Sequence, residues 1–249
     1  MKLPLWNRFT THFKCFISYL FFPLAIIIVW PFFFLIMRYR IRELDKVRQQ
    51  FATLVQDKDQ RPILICLNHL TRIDSMILAT VATPLWKVFF RYSYLPWHVL
   101  DYHGVPFFAT LCAFVKTIPI ERMGDRRLIQ LMQERVRYLL SRGNLVVIFP
   151  EGRRSLDGRV MTEDFQYGVG TILKDIPDCR VLCVYLRADK QEGRSAIPPA
   201  KSDIYIAFEM ITPTTSLQGL RAARDLAGQI VVTLDSMEKK YFAEKTVGR

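Results

Sequence analysis

An α/β fold, a layered mixed sheet flanked by helices with a membrane-associated segment at the N-terminus, is predicted by three observations. Short apolar runs without alternation recur along the chain, amphipathic helical patterns fall between them, and one long uncharged stretch precedes both. The 249 residues suffice for one sizeable core. The composition divides them into an N-terminal anchor with basic flanks, 1–48, and a domain, 49–249.

From Cys15 to Met37 no residue is charged. At a helical rise of about 1.5 Å per residue this run would cross a hydrocarbon core. Pro23 and Pro31 interrupt it, which predicts either a kinked helix or a helical hairpin. Lys2, Arg8 and Lys14 lie before the run, and Arg38, Arg40, Arg42, Lys46 and Arg48 follow it. Positive charge on both sides favours a hairpin returning to one face, the cytoplasmic one. A cleaved signal peptide is disfavoured by the length of the run and by the lack of a small-residue cleavage site.

The polar stretch near Ile41 to Val55 predicts a short surface helix. Pro62 then opens Ile63, Leu64, Ile65, Cys66 and Leu67, a run of the length and uniformity of a strand buried on both faces. Similar runs predict strands over Lys87–Tyr92, Ile118–Ile120, Leu145–Phe149, Val181–Leu186 and Ile204–Phe208. A helix is predicted over Asp125–Arg142, where Leu128, Leu131, Met132, Val136, Leu139 and Leu140 share a face and Gly143 ends it. Another runs from Ser216 to about Lys240, with Leu220, Ala223, Ala227, Ile230, Val231 and Leu234 at the same spacing. No internal repeat or low-complexity segment is present.

The net charge of +12, from 35 Lys and Arg against 23 Asp and Glu, predicts attraction to a polyanion. No helix-turn-helix, zinc-finger or RNA-binding signature occurs, and a hydrophobic fraction of 51% favours anionic lipid over nucleic acid. Cys15, Cys66, Cys112, Cys179 and Cys183 are odd in number and sit mostly within apolar runs. They read as small buried hydrophobes in a reducing compartment, and Cys179 and Cys183 lack partners at zinc-ligand spacing, so no metal is expected.

Three segments carry candidate chemistry. Asn68 and His69 follow the strand ending at Leu67, and Asp74 opens the apolar helix Ser75–Ala82. Residues five apart in one helix would differ by about 140°. His69 therefore belongs to the turn before the helix, from which Asp74 can fold back to the ring. A carboxylate on one ring nitrogen fixes the tautomer and leaves the other to accept a proton, which makes His69 a general-base candidate. A structural histidine beside a helix-capping aspartate is the alternative. In the second segment, Phe149 ends a strand and Pro150, Glu151, Gly152, Arg153, Arg154 and Ser155 form a turn. Gly152 permits a sharp bend, and the paired guanidiniums suit a phosphate or acidic head group. The third, Lys116 to Arg122, ends on a cation at a strand terminus, suited to phosphate unless it pairs with Glu121 or Asp125.

These segments resemble, in order and spacing, the blocks of the glycerolipid acyltransferase family, which includes the 1-acylglycerol-3-phosphate acyltransferases. Asn68 to Asp74 is similar to its N-H-x-x-x-x-D block, Phe149 to Ser155 to its F-P-E-G-T-R-S block, and Ile118 to Arg122 to the block ending in a substrate-binding arginine. The resemblance implies direct acyl transfer from acyl-CoA or acyl carrier protein to the hydroxyl of a lysophospholipid, such as 1-acylglycerol-3-phosphate, giving phosphatidic acid. It implies His69 as base, Asp74 as its orienting partner, and Arg122, Glu151, Gly152, Arg154, Ser155 and Asn68 around the acceptor, with no cofactor beyond the acyl donor. Arg153 departs from the family's threonine and Lys116 from its glycine, and the fourth block lacks its usual proline. Those departures leave room for another lyso-lipid acceptor or for a non-catalytic lipid-binding protein. A hydrolase with Ser75 or Ser155 as nucleophile is a further rival, although neither serine lies in a G-x-S-x-G elbow.

Overall fold

The apolar run Ile63–Leu67 is a central strand with every residue buried, as continuous hydrophobicity demands of a strand covered on both faces. The computed structural model describes residues 3–56, 59, 61–101, 116–120 and 125–247. Their elements are α1 (Leu5–Pro31) with a π-helical continuation (Phe32–Ile36), β1 (Arg40–Ile41), α2 (Leu44–Gln56), β2 (Ile63–Leu67), α3 (Asp74–Ala82), α4 (Leu85–Phe90), β3 (Trp97–Asp101), β4 (Thr117–Ile120), α5 (Arg126–Leu140), β5 (Val146–Ile148), α6 (Gly168–Lys174), β6 (Arg180–Ala188), β7 (Asp203–Ile211) and α7 (Gly219–Val247).

The strands form one sheet of seven in the order β1-β7-β6-β2-β5-β3-β4. Neighbours are parallel except β6 and β7, so the sheet is mixed. Side chains alternate between two cores. Leu64, Cys66, Val146, Ile148, Val181 and Cys183 face α5, α6 and α7. Ile63, Ile65, Leu67, Val147, Leu182 and Val184 face α2 and α3. Each such aliphatic side chain stabilises the fold by roughly 1.5–3 kcal/mol on burial.

Several local readings are corrected. Lys87–Tyr92 is not a strand: α4 covers Leu85–Phe90, started by Pro84 and followed by a 3₁₀ turn at Tyr92–Tyr94. A short apolar run does not distinguish the two by periodicity, and among the described side chains of α4 only Val88 is buried in the core. The N-terminal segment is one helix, not a hairpin. It passes through Pro23 and changes to π geometry after Pro31, where the missing N–H would break the regular ladder. By length and composition this helix could cross a membrane.

The sheet also begins earlier than residue 49, because Arg40 and Ile41 pair with Asp203 and Ile204. Two elements were unannounced by periodicity. Strand β3 interrupts its apolar pattern with His98 and Asp101. Helix α6 carries Gly168 and Gly170, and at Gly170 a Cβ would come within 1.8 Å of the Ala223 carbonyl oxygen. Only glycine lets α6 lie that close to α7.

Candidate active site

Strands β2 and β5 are parallel neighbours, with Cys66 opposite Ile148, so their C-terminal ends deliver Asn68–His69 and Phe149–Glu151 side by side. The chain then leaves β2 for α3 on one face of the sheet and β5 for α6 on the other. Divergent exits of this kind open a crevice beyond the carboxyl ends of the strands, where α/β proteins hold ligands.

His69 stands in the turn before α3, and Asp74 is the first residue of that helix. The ring Nδ1 lies 3.4 Å from Asp74 Oδ2. The same oxygen accepts the backbone N–H groups of Leu70 at 2.8 Å and Thr71 at 2.7 Å, and Oδ1 accepts the Thr71 hydroxyl. Asp74 thus caps the turn and holds the imidazole at once, because a carboxylate has lone pairs enough for both. The opposite side of the ring assembly is set by Phe149, which stacks on His69 with centroids 3.8 Å apart and planes 22° from parallel.

Glu151 is buried, and its Oε1 accepts the backbone N–H of His69 at 2.9 Å. Oε2 is buried without a well-formed hydrogen bond among the described residues. Burial pushes the carboxyl up to about 8, aided by the Asp74 and Glu238 carboxylates and opposed by the N–H groups of His69 and Met161. In return, the His69 carbonyl accepts the Ser155 N–H at 3.0 Å, so the two loops are stapled by two reciprocal bonds.

Gly152 has φ +70°, and a Cβ there would lie 2.1 Å from Gln166 Cγ. The turn therefore requires glycine both for its backbone and for its neighbour.

Asn68, expected beside the acceptor, spends its amide on the backbone of β6. Its Nδ2 donates to the Leu186 carbonyl at 3.1 Å and its Oδ1 accepts the Leu186 N–H at 2.7 Å. Ser155 is fully buried, its hydroxyl donating to Asp157 Oδ1 at 2.8 Å and accepting the Arg159 N–H at 2.9 Å. Those bonds make it a turn-former, not a nucleophile.

Arg154 Nη1 donates to the Ser195 carbonyl at 3.1 Å, while the Arg72 N–H reaches the Ala196 carbonyl at 3.0 Å. The β6–β7 connection thereby closes over both loops. Arg153 pairs with Asp164 on the exposed surface. Arg122 lies outside the described residues. Lys116, which departs from the family's glycine, is buried and donates to the Tyr92 and Leu95 carbonyls at 2.7 and 3.0 Å.

Sequence reading missed Phe149 as a ring platform, Thr71 as a support for Asp74, and Gln166 as the wall behind Gly152. Only Thr71 left a signal, its three-residue spacing from Asp74. No group of three or more His, Cys, Asp or Glu side chains suited to a metal occurs among the described residues.

Of two concavities, one lies away from the site and one beside it. One of about 850 Å³ lies between α2 and the end of α3, beside Arg180 at the N-terminal ends of the strands, away from His69. The other, of about 80 Å³ and mostly apolar, lies between α1, α3 and β3, and is lined by Phe22, Ile26, Met76 and Ala79 together with Ser75, the residue after Asp74.

Residues 38–187 match the Acyltransferase family model. The chain belongs to the acyltransferase family, that of the glycerolipid acyltransferases. The matched segment of this acyltransferase contains β2, the His69–Asp74 turn and the Phe149–Ser155 loop, so the family pattern and the crevice coincide. A comparison with curated proteins gives no match.

Proposed function

We propose that the protein is a membrane-bound O-acyltransferase that moves a fatty acyl group from acyl-CoA or acyl carrier protein to the free hydroxyl of a lysophospholipid. The acceptor class we assign is 1-acylglycerol-3-phosphate, which would give phosphatidic acid. The observation that carries this reading is the pairing of His69 Nδ1 with Asp74 at 3.4 Å, at the strand ends matched by the family.

In this scheme Nε2 of His69 removes the acceptor hydroxyl proton as the oxygen attacks the thioester carbonyl. Asp74 holds the tautomer and stabilises the imidazolium that results. Collapse of the tetrahedral intermediate expels the thiolate, which takes the proton from His69, so the ester forms and the base is restored. The 3.4 Å separation is long for a hydrogen bond, as is common before substrate binds. Glu151, pushed up to about 8 by burial, serves here as the buried acceptor of the His69 N–H, which keeps the two loops in register. Arg154 and Arg122 are the cations assigned to the acceptor phosphate.

The cavity beside Ser75 is apolar, as suits an acyl chain, and its volume of about 80 Å³ has room for a few methylenes of one. A site reached from the bilayer also spares a substrate with acyl chains the transfer of buried methylenes into water, at about 0.8 kcal/mol each.

The test is lipid mass spectrometry of membranes from cells with and without the protein. Depletion of one lyso-lipid and gain of its diacyl product, dependent on His69, is expected. An unchanged lyso-lipid to diacyl ratio would overturn the assignment.

A further inference from the structure

We infer that α1 and α4 form one surface that lies in the plane of an anionic bilayer, with α1 along the membrane and not across it. The inference stands on the contacts of α1 and is independent of the acyl-transfer reading.

Helix α1 is inside out for a soluble protein. Its polar side chains face the domain: Asn7 accepts from Arg135 at 3.2 Å, His12 Nε2 lies 3.1 Å from the Tyr138 hydroxyl, and Ser18 accepts from the Tyr92 hydroxyl at 2.7 Å. Its outward face is apolar, with Trp6 71%, Phe16 64%, Leu20 62% and Ile27 68% exposed. A helix beside water has the reverse arrangement. The medium on its outer side is therefore not water.

The contacts also fix the orientation. They run from Asn7 through Phe22, which packs with Val88 and Leu95, to Phe33, which packs against Tyr39. Asn7 and Phe33 are roughly 39 Å apart along a helix. A transverse span needs about 30 Å of helix within hydrocarbon. With α1 held along its whole length, such a span would pull Arg135, Tyr138 and Tyr92 to bilayer depth. A helix lying flat, about 5–10 Å into the interface, requires no such burial.

Helix α4 continues the same surface. Its Trp86 and Phe90 are 63% and 78% exposed, and Phe89 meets Tyr19 of α1 with centroids 6.4 Å apart. The charge on this surface has one sign. No acidic residue precedes Glu43, and none lies between Asp74 and Asp101, whereas Arg8, Lys87 and Arg91 lie on or beside the two helices. Aromatic side chains interleaved with cations suit the head-group region of an anionic leaflet.

The test uses the full chain on vesicles of phosphatidylcholine with and without phosphatidylglycerol. Trp6, Trp30 and Trp86 are changed to Phe, and a surface probe is placed at mid-helix by Leu20→Trp, with quenching by lipids brominated near the head group or near the chain end. The remaining tryptophan, Trp97, is buried in the sheet, and the same protein without Leu20→Trp supplies its background. Stronger quenching by the shallow bromines, together with tighter binding to vesicles containing phosphatidylglycerol, is expected. Stronger quenching by the deep bromines would establish a span and overturn the inference. Absence of quenching would overturn it as well, since a second copy or another protein would then cover the face.

Discussion

The backbone N–H of His69 donates to Oε1 of Glu151 at 2.9 Å, so the proposed base and the second loop of the site are joined through the main chain. Replacing Glu151 with Ala removes that acceptor and leaves a buried N–H unsatisfied, a cost of about 1–3 kcal/mol. Chemical denaturation of Glu151→Ala should show that loss, with turnover falling further than stability explains because the imidazole is no longer held in register.

Glu151 also sets a pH dependence. An unfolded glutamate titrates near about 4.3, whereas burial holds the folded one at about 8. Between those values the native state binds a proton that the unfolded state has lost, so this group's stabilisation is full below about 4.3 and declines as pH rises toward about 8. The slope from one proton approaches about 1.4 kcal/mol per pH unit. Glu151→Gln, which mimics the neutral acid, should flatten the decline when unfolding is followed from about pH 5 to about pH 8, and equal slopes for the two proteins would refute this origin.

Asp74→Asn keeps the size of the side chain, and its amide oxygen can still accept the Leu70 and Thr71 N–H groups with the NH₂ turned to the Thr71 hydroxyl. What it loses is the charge that stabilises an imidazolium. A fall in kcat of about 10²–10⁴-fold is expected, with the KM for the lyso-acceptor little changed.

Gly152→Ala tests the turn apart from the chemistry. The φ of +70° strains any added side chain, and the methyl would sit 2.1 Å from Cγ of Gln166, which would have to swing aside. Thermal unfolding should show a loss of about 1–3 kcal/mol, and Gln166→Ala should recover part of it by opening the wall.

Much of this architecture was legible in the chain. The strands β2, β5 and β6 announced themselves because each is buried between helices, β7 because Ile204–Phe208 keeps an apolar run although only Ile204 and Ile206 of it are buried, and α5 because Asp125 caps a regular stripe, accepting the Arg127 N–H at 2.9 Å. His69 and Asp74 were legible because their spacing demands a turn between them. Tertiary context hid the remainder. Helix α4 looked like a strand because its aromatic residues face outward, and α6 carries glycines that make sense only against Ala223. The two amide bonds from Asn68 to Leu186 and the Phe149 stack depend on strands far apart in sequence, which no local pattern encodes.

The central claim is that His69 activates an alcohol. Purified protein in lipid vesicles, given radiolabelled acyl-CoA or acyl carrier protein thioester and 1-acylglycerol-3-phosphate, should form labelled diacyl product, and His69→Ala should lower the rate by about 10²–10⁴-fold while its unfolding midpoint stays near that of the parent. Product formation by His69→Ala at the parent rate would contradict the account.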